Sequence, residues 1–221
     1  MSVFKRTSFR ILLGHLYAFI MELPVAFVPL DISEPIWSHF FTVAPLVIVG
    51  TKEGVGYDMA PKHMAMPMGF NNYFGFVCTP NHRTYHNVLN YDEFSVSYLL
   101  PKQIIQAAIS ASPRSNDVSK SDQIVSALPT INGTKTDTLL MEDAYVHLEC
   151  KLYKIIDGFG ENCIITGEIV NASVHPEYLR VSEKDERDQL AGYPLLAYIA
   201  DGRFASISDT YNFPFPKNFA R

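Results

Sequence analysis

One stretch decides how this chain folds, beginning with the apolar run Ala44-Pro45-Leu46-Val47-Ile48-Val49-Gly50. A turn with two glycines, Gly54-Val55-Gly56, comes next, followed by Phe76-Val77-Cys78-Thr79-Pro80 and Phe94-Ser95-Val96-Ser97-Tyr98. Short runs rich in valine, isoleucine and aromatic residues, bounded by glycine and proline, are typical of β-strands. The lone G-x-G lacks the third glycine and the helix of a dinucleotide-binding turn, so it predicts a tight hairpin.

The sequence beyond this stretch continues the strand pattern. Residues 145–153 alternate, which places four apolar side chains on one face of a half-buried antiparallel strand: Val146, Leu148, Cys150 and Leu152. Residues 157–160 (Asp-Gly-Phe-Gly) predict a hairpin turn, with residues 163–170 as the partner strand.

Two helices are also expected, over residues 102–110 after Pro101 and over residues 121–128. Residues 112–117 form a polar connector between them, and the charged run 183–188 predicts a solvated segment. Because strands and helices do not alternate regularly, a doubly wound parallel sheet is not favoured. The sequence predicts a mainly β protein with short helices, best described as a barrel with helical insertions.

Composition limits the class of protein. The chain has 221 residues, of which 48% are hydrophobic and 19% charged, enough for the core of one domain with or without an appendage. A net charge of −5 argues against a nucleic-acid binder, which needs a basic face. Three cysteines without C-x-x-C spacing predict small buried residues in a reducing cytoplasm, and no structural zinc site.

Segments with other patterns flank the predicted domain at both ends of the chain. Residues 1–20 resemble a poor signal peptide, since His15 interrupts the apolar run and no clear cleavage site follows. The run is also too short to span a bilayer comfortably. We interpret residues 1–20 as an extension or a misassigned start, with Met21 as the alternative start. Residues 21–43 are a proline-rich extended lead-in, and residues 206–221 are a C-terminal tail.

The main candidate site is the segment His82-Arg83-Thr84-Tyr85-His86-Asn87. A phosphate monoester binds guanidinium, hydroxyl and amide donors, and Arg83, Thr84 and Asn87 supply one of each. Thr79 lies close enough in sequence to join them. If Arg83 opens a helical turn, free backbone N–H groups would contribute as well. The alternative is an ordinary polar loop between two strands, and spacing alone favours that alternative.

Other residue patterns offer little chemistry. A cluster of methionines precedes several aromatic residues, and it predicts core packing or an apolar wall for a flat ring: Met59, Met64, Met66 and Met68. The histidines lack a zinc-binding spacing on a convincing helix, and no serine lies in a G-x-S-x-G motif. No catalytic side chain and no metal ligand are predicted.

The stretch from Ala44 to Phe204 resembles the flavin reductase-like family of split-barrel proteins, which bind flavin mononucleotide (FMN). The segments that carry the resemblance are Pro45 onward, Gly54, Asp58-Met59-Ala60-Pro61-Lys62-His63, Pro80, Thr84-Tyr85-His86-Asn87, Phe94 to Tyr98, His147-Leu148-Glu149-Cys150, Gly167-Glu168-Ile169-Val170, Pro194-Leu195-Leu196-Ala197-Tyr198 and Asp201-Gly202-Arg203-Phe204. Two positions depart from the family pattern: Asp58 stands where asparagine is commoner, and His63 stands where serine or threonine is expected.

The resemblance implies a six-stranded antiparallel split barrel over residues 44–205, forming a homodimer with FMN near the dimer interface. The backbone around Asp58, Met59 and Ala60 would meet the edge of the isoalloxazine ring. Thr79, Arg83, Thr84 and Asn87 would hold the phosphate. The complete set of predicted flavin-binding residues is Asp58, Met59, Ala60, Lys62, His63, Cys78, Thr79, His82, Arg83, Thr84 and Asn87.

The resemblance also implies a function. Such proteins pass hydride from NADH or NADPH to flavin N5 and then to an acceptor, which can be a partner oxygenase. No acid or base side chain is required, because the flavin carries that chemistry. An aspartate near the flavin would disfavour its reduced, anionic form. Asp58 therefore motivates the alternative of a non-catalytic FMN carrier or sensor. A third alternative is a split barrel without ligand that acts as an interaction module. No nucleic-acid or membrane partner is expected.

Overall fold

The computed structural model describes residues 27–113, 120–180, 185–200 and 202–217. The chain divides into two compact units, residues 1–39 and residues 40–221. Among residues 27–39 of the first unit, the backbone forms turns without a regular helix or strand. The predicted extension 1–20, most of the connector 112–117 and the beginning of the charged run 183–188 lie outside the described residues.

The second unit is mainly β and wholly antiparallel in its pairing. Seven strands form the main sheet in the order β3-β2-β6-β9-β10-β5-β4. Their bounds are β2 (Val47–Glu53), β3 (Gly56–Lys62), β4 (Ala65–Pro67), β5 (Tyr73–Cys78), β6 (Glu93–Tyr98), β9 (Val146–Phe159) and β10 (Asn162–Val174). Two smaller sheets contain β1 (Val43–Pro45), β11 (Leu195–Ile199) and β12 (Arg203–Ile207), and β7 (Thr130–Asn132) with β8 (Leu139–Met141).

The main sheet therefore has one strand more than the six predicted. The extra edge strand is β4, whose three residues lie within the methionine-rich segment and pair with β5. Such a short run has no alternation from which a strand could be recognised. The hairpin at Gly54-Val55-Gly56 is confirmed, since β2 and β3 are joined by a turn in which Gly54 has a φ of +59°.

Four α-helices are present among the described residues: α1 (Arg83–Tyr91), α2 (Ile104–Ser110), α3 (Lys120–Gln123) and α4 (Glu186–Gly192). The predicted helices over 102–110 and 121–128 are confirmed, although each includes a 3-10 turn, at Pro101–Gln103 and Val125–Ala127. Helix α1 was anticipated only as a helical turn opening at Arg83. It buries Thr84, Asn87 and Val88, so the packing of one helix face on the sheet stabilises this short helix.

The core confirms the predicted apolar face of β9. Leu148 and Cys150 are buried there, and Val146 and Leu152 pack against the same cluster. All three cysteines are buried and free, as predicted. The turn between β9 and β10 falls at residues 160–161, slightly beyond the predicted turn, because both strands are longer than expected. No helix within the described ranges combines the length and hydropathy needed to cross a bilayer.

Candidate functional site

A cavity of about 610 Å³ lies between β3, the beginning of α1, the segment after α2 and the beginning of α3. We call it the site cavity; its lining is Asp58, Ala60, Pro61, Lys62, Asn81, His82, Arg83, Thr84, His86, Ser110, Ala111, Ser112, Pro113 and Lys120. Its volume lies within the range of about 300–1,000 Å³ that is usual for small-molecule sites.

The N-terminus of α1 forms one wall of the site cavity. Helix α1 begins at Arg83, and the preceding residue, His82, is extended and makes no side-chain cap. The first N–H groups of a helix have no partner within the helix and carry the positive end of its dipole. The wall lined by His82, Arg83 and Thr84 therefore suits an anionic group such as a phosphate.

Basic side chains outnumber acidic ones around the site cavity. Lys62, Arg83 and Lys120 line it together with one carboxylate, that of Asp58. The guanidinium Nε of Arg83 lies 3.1 Å from Glu53 Oε1, and the Arg83 side chain is about half exposed. Since such exposed pairs contribute only about 0–1 kcal/mol, Arg83 can exchange Glu53 for a phosphate at small cost.

Burial favours the neutral form of two histidines near the site cavity. Burial lowers the pKa of His63, and the charge of Lys62 lowers it further. Burial and Lys62 also lower the pKa of His82, although the Asp58 carboxylate acts in the opposite direction. These imidazoles are therefore hydrogen-bonding groups rather than fixed cations, and the positive charge of the wall comes from lysine and arginine.

The carboxylate of Asp58 is buried and paired with a lysine that is distant in sequence. Lys120 Nζ lies 3.0 Å from Asp58 Oδ1 and donates a hydrogen bond to the Met59 carbonyl at 2.7 Å. The hydroxyl of Thr84 donates to Asp58 Oδ2 at 3.4 Å. The negative charge that the sequence places beside the predicted flavin site is thus compensated by a lysine at the beginning of α3.

The structure brings six of the predicted flavin-binding residues into the site cavity: Asp58, Ala60, Lys62, His82, Arg83 and Thr84. His63, Cys78 and Thr79 line an adjoining cavity of about 210 Å³, whose lining also includes Lys62 and His82. The His63 ring also packs against Tyr198, with ring centroids 4.6 Å apart.

The other two predicted residues lie outside both linings. The side chain of Met59 is fully buried in the core, and its carbonyl faces Lys120. Asn87 donates through its amide to Thr51 Oγ1 at 3.0 Å, a contact that fixes α1 against β2.

Sequence reasoning missed Lys120. Its partner Asp58 lies 62 residues earlier on β3, and no spacing pattern in the sequence links the two residues. Asn81 and residues 110–113 also line the site cavity, and no motif in the sequence had singled them out.

The described residues form a split-barrel-like domain with a cavity whose basic lining suits an anionic group, and comparison with known proteins gives its family. The flavin reductase-like domain model matches residues 40–206, so the chain belongs to that family. This confirms the resemblance inferred from residues 44–204. A comparison with curated proteins gave no significant match.

Several solved structures share the fold. BorF, the flavin reductase component of a bacterial two-component tryptophan halogenase, has a TM-score of 0.59 at 18% identity, covering 76% of this chain and 93% of its own. The NADH:FAD oxidoreductase of Streptomyces globisporus has a TM-score of 0.59 at 15% identity, covering 93% and 97%. The FMN-binding protein of Thermus thermophilus has a TM-score of 0.64 at 19% identity, covering 85% and 97%. At these identities the likeness establishes the fold alone.

Proposed function

We propose that this chain is an FMN-binding oxidoreductase of flavin reductase type, which passes hydride from NADH or NADPH to flavin N5 and on to an acceptor. The observation that carries the proposal is the site cavity, in which the N-terminus of α1 and three basic side chains line a chamber of suitable volume. Membership of the flavin reductase-like family, over residues 40–206, makes a flavin the ligand of choice.

The phosphate end of the ligand is assigned to the α1 wall. The guanidinium of Arg83 provides two parallel donors, which match two phosphate oxygens. The first N–H groups of α1 add dipole stabilisation, and Lys62, on β3, adds a further cation to the lining. Asn87 supports this wall indirectly, because its bond to Thr51 holds the helix in place.

The ring end is assigned to β3 and the adjoining cavity. There, Ala60 and Lys62 follow the buried Asp58 along β3, and His63 comes directly after the strand. The backbone of this segment would meet the ring edge. When bound, the flavin supplies the hydride chemistry. The role of the protein is to orient the ring, hold the phosphate and limit access of water.

Partners are proposed from the same comparison. BorF is one component of a two-component system, and a partner oxygenase or another electron acceptor is proposed for this chain too. A homodimer with the flavin near its interface is proposed as the assembled state.

The first experiment is the visible absorption spectrum of the purified protein, before and after adding FMN, followed by NADH and NADPH without oxygen. Flavin bands that bleach with either nucleotide would support the proposal and identify the donor. Bands that neither nucleotide bleaches would instead favour a carrier or sensor. A protein that binds no FMN would fit the interaction-module alternative, and the proposal would be abandoned.

The phosphate assignment has its own test. Combining Arg83→Ala with Thr84→Ala should weaken FMN binding far more than riboflavin binding, because the lost charge-assisted bonds are each worth about 1.5–3 kcal/mol. Arg180→Ala is the matched control, since Arg180 is also exposed and paired with a glutamate, Glu186. Equal weakening of both ligands, measured by titration calorimetry, would show that the phosphate lies elsewhere.

A further inference from the structure

We propose that Cys78 and Cys163 form a peroxide-reactive pair, which hydrogen peroxide oxidises to a disulfide that joins β5 to β10. This modification site goes beyond the proposed function, because the thiol chemistry needs no bound flavin. The proposed function adds only a local source of the oxidant, since dioxygen that reoxidises a reduced flavin is itself reduced to hydrogen peroxide.

The two cysteines lie directly opposite each other on neighbouring antiparallel strands, with Cys163 on β10 as the register partner of Cys78 on β5. Residues opposite each other in such a pair have Cα atoms about 4.5–5.5 Å apart. This separation lies within the range of about 4.4–6.8 Å that disulfides span. Both side chains belong to the same buried cluster, and the Cys163 thiol also forms a hydrogen bond with the backbone of Cys78. A disulfide between them therefore requires little movement of either strand.

Cys78 is the member of the pair that an oxidant can reach. It lines the adjoining cavity of about 210 Å³, together with Asn162, the neighbour of Cys163. That volume has room for hydrogen peroxide, since a water molecule in the liquid occupies about 30 Å³. Lys62 Nζ, which lines the same cavity, donates a hydrogen bond to Cys78 Sγ at 3.8 Å. An N–H donor is thus present beside the sulfur, where it can donate to a leaving oxygen.

Cys163 is suited to the second step rather than the first. Its side chain is fully buried, and it does not line the adjoining cavity. Burial raises the pKa of the Cys163 thiol, and the neighbouring Cys78 raises it further. Cys163 therefore remains a thiol until the sulfur opposite it has been oxidised.

The reaction is balanced over two steps. The Cys78 sulfur attacks one oxygen of hydrogen peroxide, the O–O bond breaks, and the other oxygen leaves as water with the thiol proton, which yields a sulfenic acid. The Cys163 sulfur then attacks the Cys78 sulfur, the S–O bond breaks, and the hydroxyl leaves as water with the second thiol proton. The two thiols lose two electrons and two protons, and one hydrogen peroxide is reduced to two waters.

The third cysteine is a matched control. Cys150, on β9, is also free and fully buried, but the residues opposite it are Phe94 and Ile169. It lines neither the site cavity nor the adjoining cavity. Burial raises the pKa of its thiol to about 12. Hydrogen peroxide should therefore leave Cys150 as a thiol.

The test treats the folded, full-length protein with hydrogen peroxide, blocks the remaining thiols with N-ethylmaleimide during unfolding, and locates the modified cysteines by peptide mass spectrometry. All three thiols are free before oxidation. Two of them should then be lost to a Cys78–Cys163 disulfide that dithiothreitol reduces, and Cys150 should carry the maleimide.

Single variants test the order of the two steps. Cys163→Ala should abolish the disulfide but leave a sulfenic acid at Cys78, which dimedone traps. Cys78→Ala should abolish the disulfide and leave Cys163 without a dimedone adduct. Cys150→Ala should form the disulfide as the wild type does.

Folded wild type that keeps three free thiols in excess peroxide would overturn the proposal. A disulfide that includes Cys150, or one that forms only after unfolding in urea, would overturn it as well. If a variant does not fold, the disulfide map of the folded wild type decides alone. Failure to bind FMN would refute the proposed function but leave this chemistry intact, so the two proposals fail separately.

Discussion

Two buried carboxylates in this protein are stabilised in opposite ways. Glu149, on β9, is 1% exposed and accepts hydrogen bonds from neutral donors. They are the backbone N–H groups of Thr134, Lys135 and Thr136, the hydroxyls of the two threonines and the amide of Asn171. Asp58, on β3, is 3% exposed, pairs with the cation of Lys120 and lines the site cavity.

The difference separates a structural carboxylate from one placed at a site. Burial alone would raise the pKa of Glu149, but hydrogen bonds from Asn171 and from the backbone of Thr134 and Lys135 outweigh it and lower the pKa to about 2. Several neutral donors make that carboxylate insensitive to the loss of any one of them. Asp58 is instead paired with a cation, since Lys120 Nζ lies 3.0 Å from its Oδ1.

The largest expected effect comes from breaking the Asp58–Lys120 pair. Lys120→Met should lower the free energy of unfolding by about 3–5 kcal/mol, because it removes one partner of a buried ion pair. Asp58→Asn combined with Lys120→Met should recover most of that loss. Urea denaturation of the unliganded proteins measures both. A double variant as unstable as Lys120→Met would mean that Lys120 acts through packing rather than charge.

Removing the charge of Glu149 should lower the free energy of unfolding nearly as much as Lys120→Met does. The shift of its pKa from 4.5 to about 2 corresponds to roughly 3 kcal/mol at neutral pH, at 1.36 kcal/mol per unit. Glu149→Gln also turns an amide donor towards backbone donors. Glu161→Gln, in the exposed turn after β9, is the control for loss of a carboxylate. Urea denaturation measures the loss of unfolding free energy in both variants. Small and equal losses would contradict the assigned role of Glu149.

The lowered pKa of Glu149 also predicts that the stability of the fold depends on pH. Because the folded pKa lies below the unfolded one, the unfolded chain binds the proton first as the pH falls, and the stabilisation is lost between about pH 5 and pH 2. Between pH 6 and pH 3, the part of the unfolding free energy due to Glu149 should fall by about 2 kcal/mol. The difference between wild type and Glu149→Gln, followed by denaturation across this range, should shrink accordingly. A constant difference would show that the lowered pKa is not what stabilises the fold.

The two carboxylates also show what the sequence can predict. Alternation in residues 145–153 correctly placed Leu148 and Cys150 in the core, and it assigned Glu149 to a polar face. That face is covered locally, because residues 133–136 fold over Glu149. Gly133 lies so close that a Cβ added to it would be 2.7 Å from Glu149 Oε2. Periodicity identifies which face a side chain occupies, but not which loop later covers it.

The candidate site likewise contains segments that the sequence could indicate and one residue that it could not. Residues 58–63 and 82–87 are each local in sequence, so residue types and resemblance could single them out, whereas a helical turn at Arg83 entered only as a condition. Lys120 could not be assigned in this way, because its partner lies on β3 and only the folding of α3 over that strand brings the two charges together. Their pairing depends on tertiary contacts that leave no spacing pattern in the sequence.

The smallest predicted effect tests whether the donors to Glu149 are redundant. Thr134→Val removes one hydroxyl donor at 2.9 Å but leaves the backbone N–H groups and Asn171 in place. The expected loss of unfolding free energy is about 0.5–1.5 kcal/mol, the usual net value of one hydrogen bond. FMN affinity should be unchanged, because Thr134 does not line the site cavity. A loss as large as that of Glu149→Gln in urea denaturation would mean that the donors act as one unit, and Glu149 would then be as sensitive to a single substitution as Asp58.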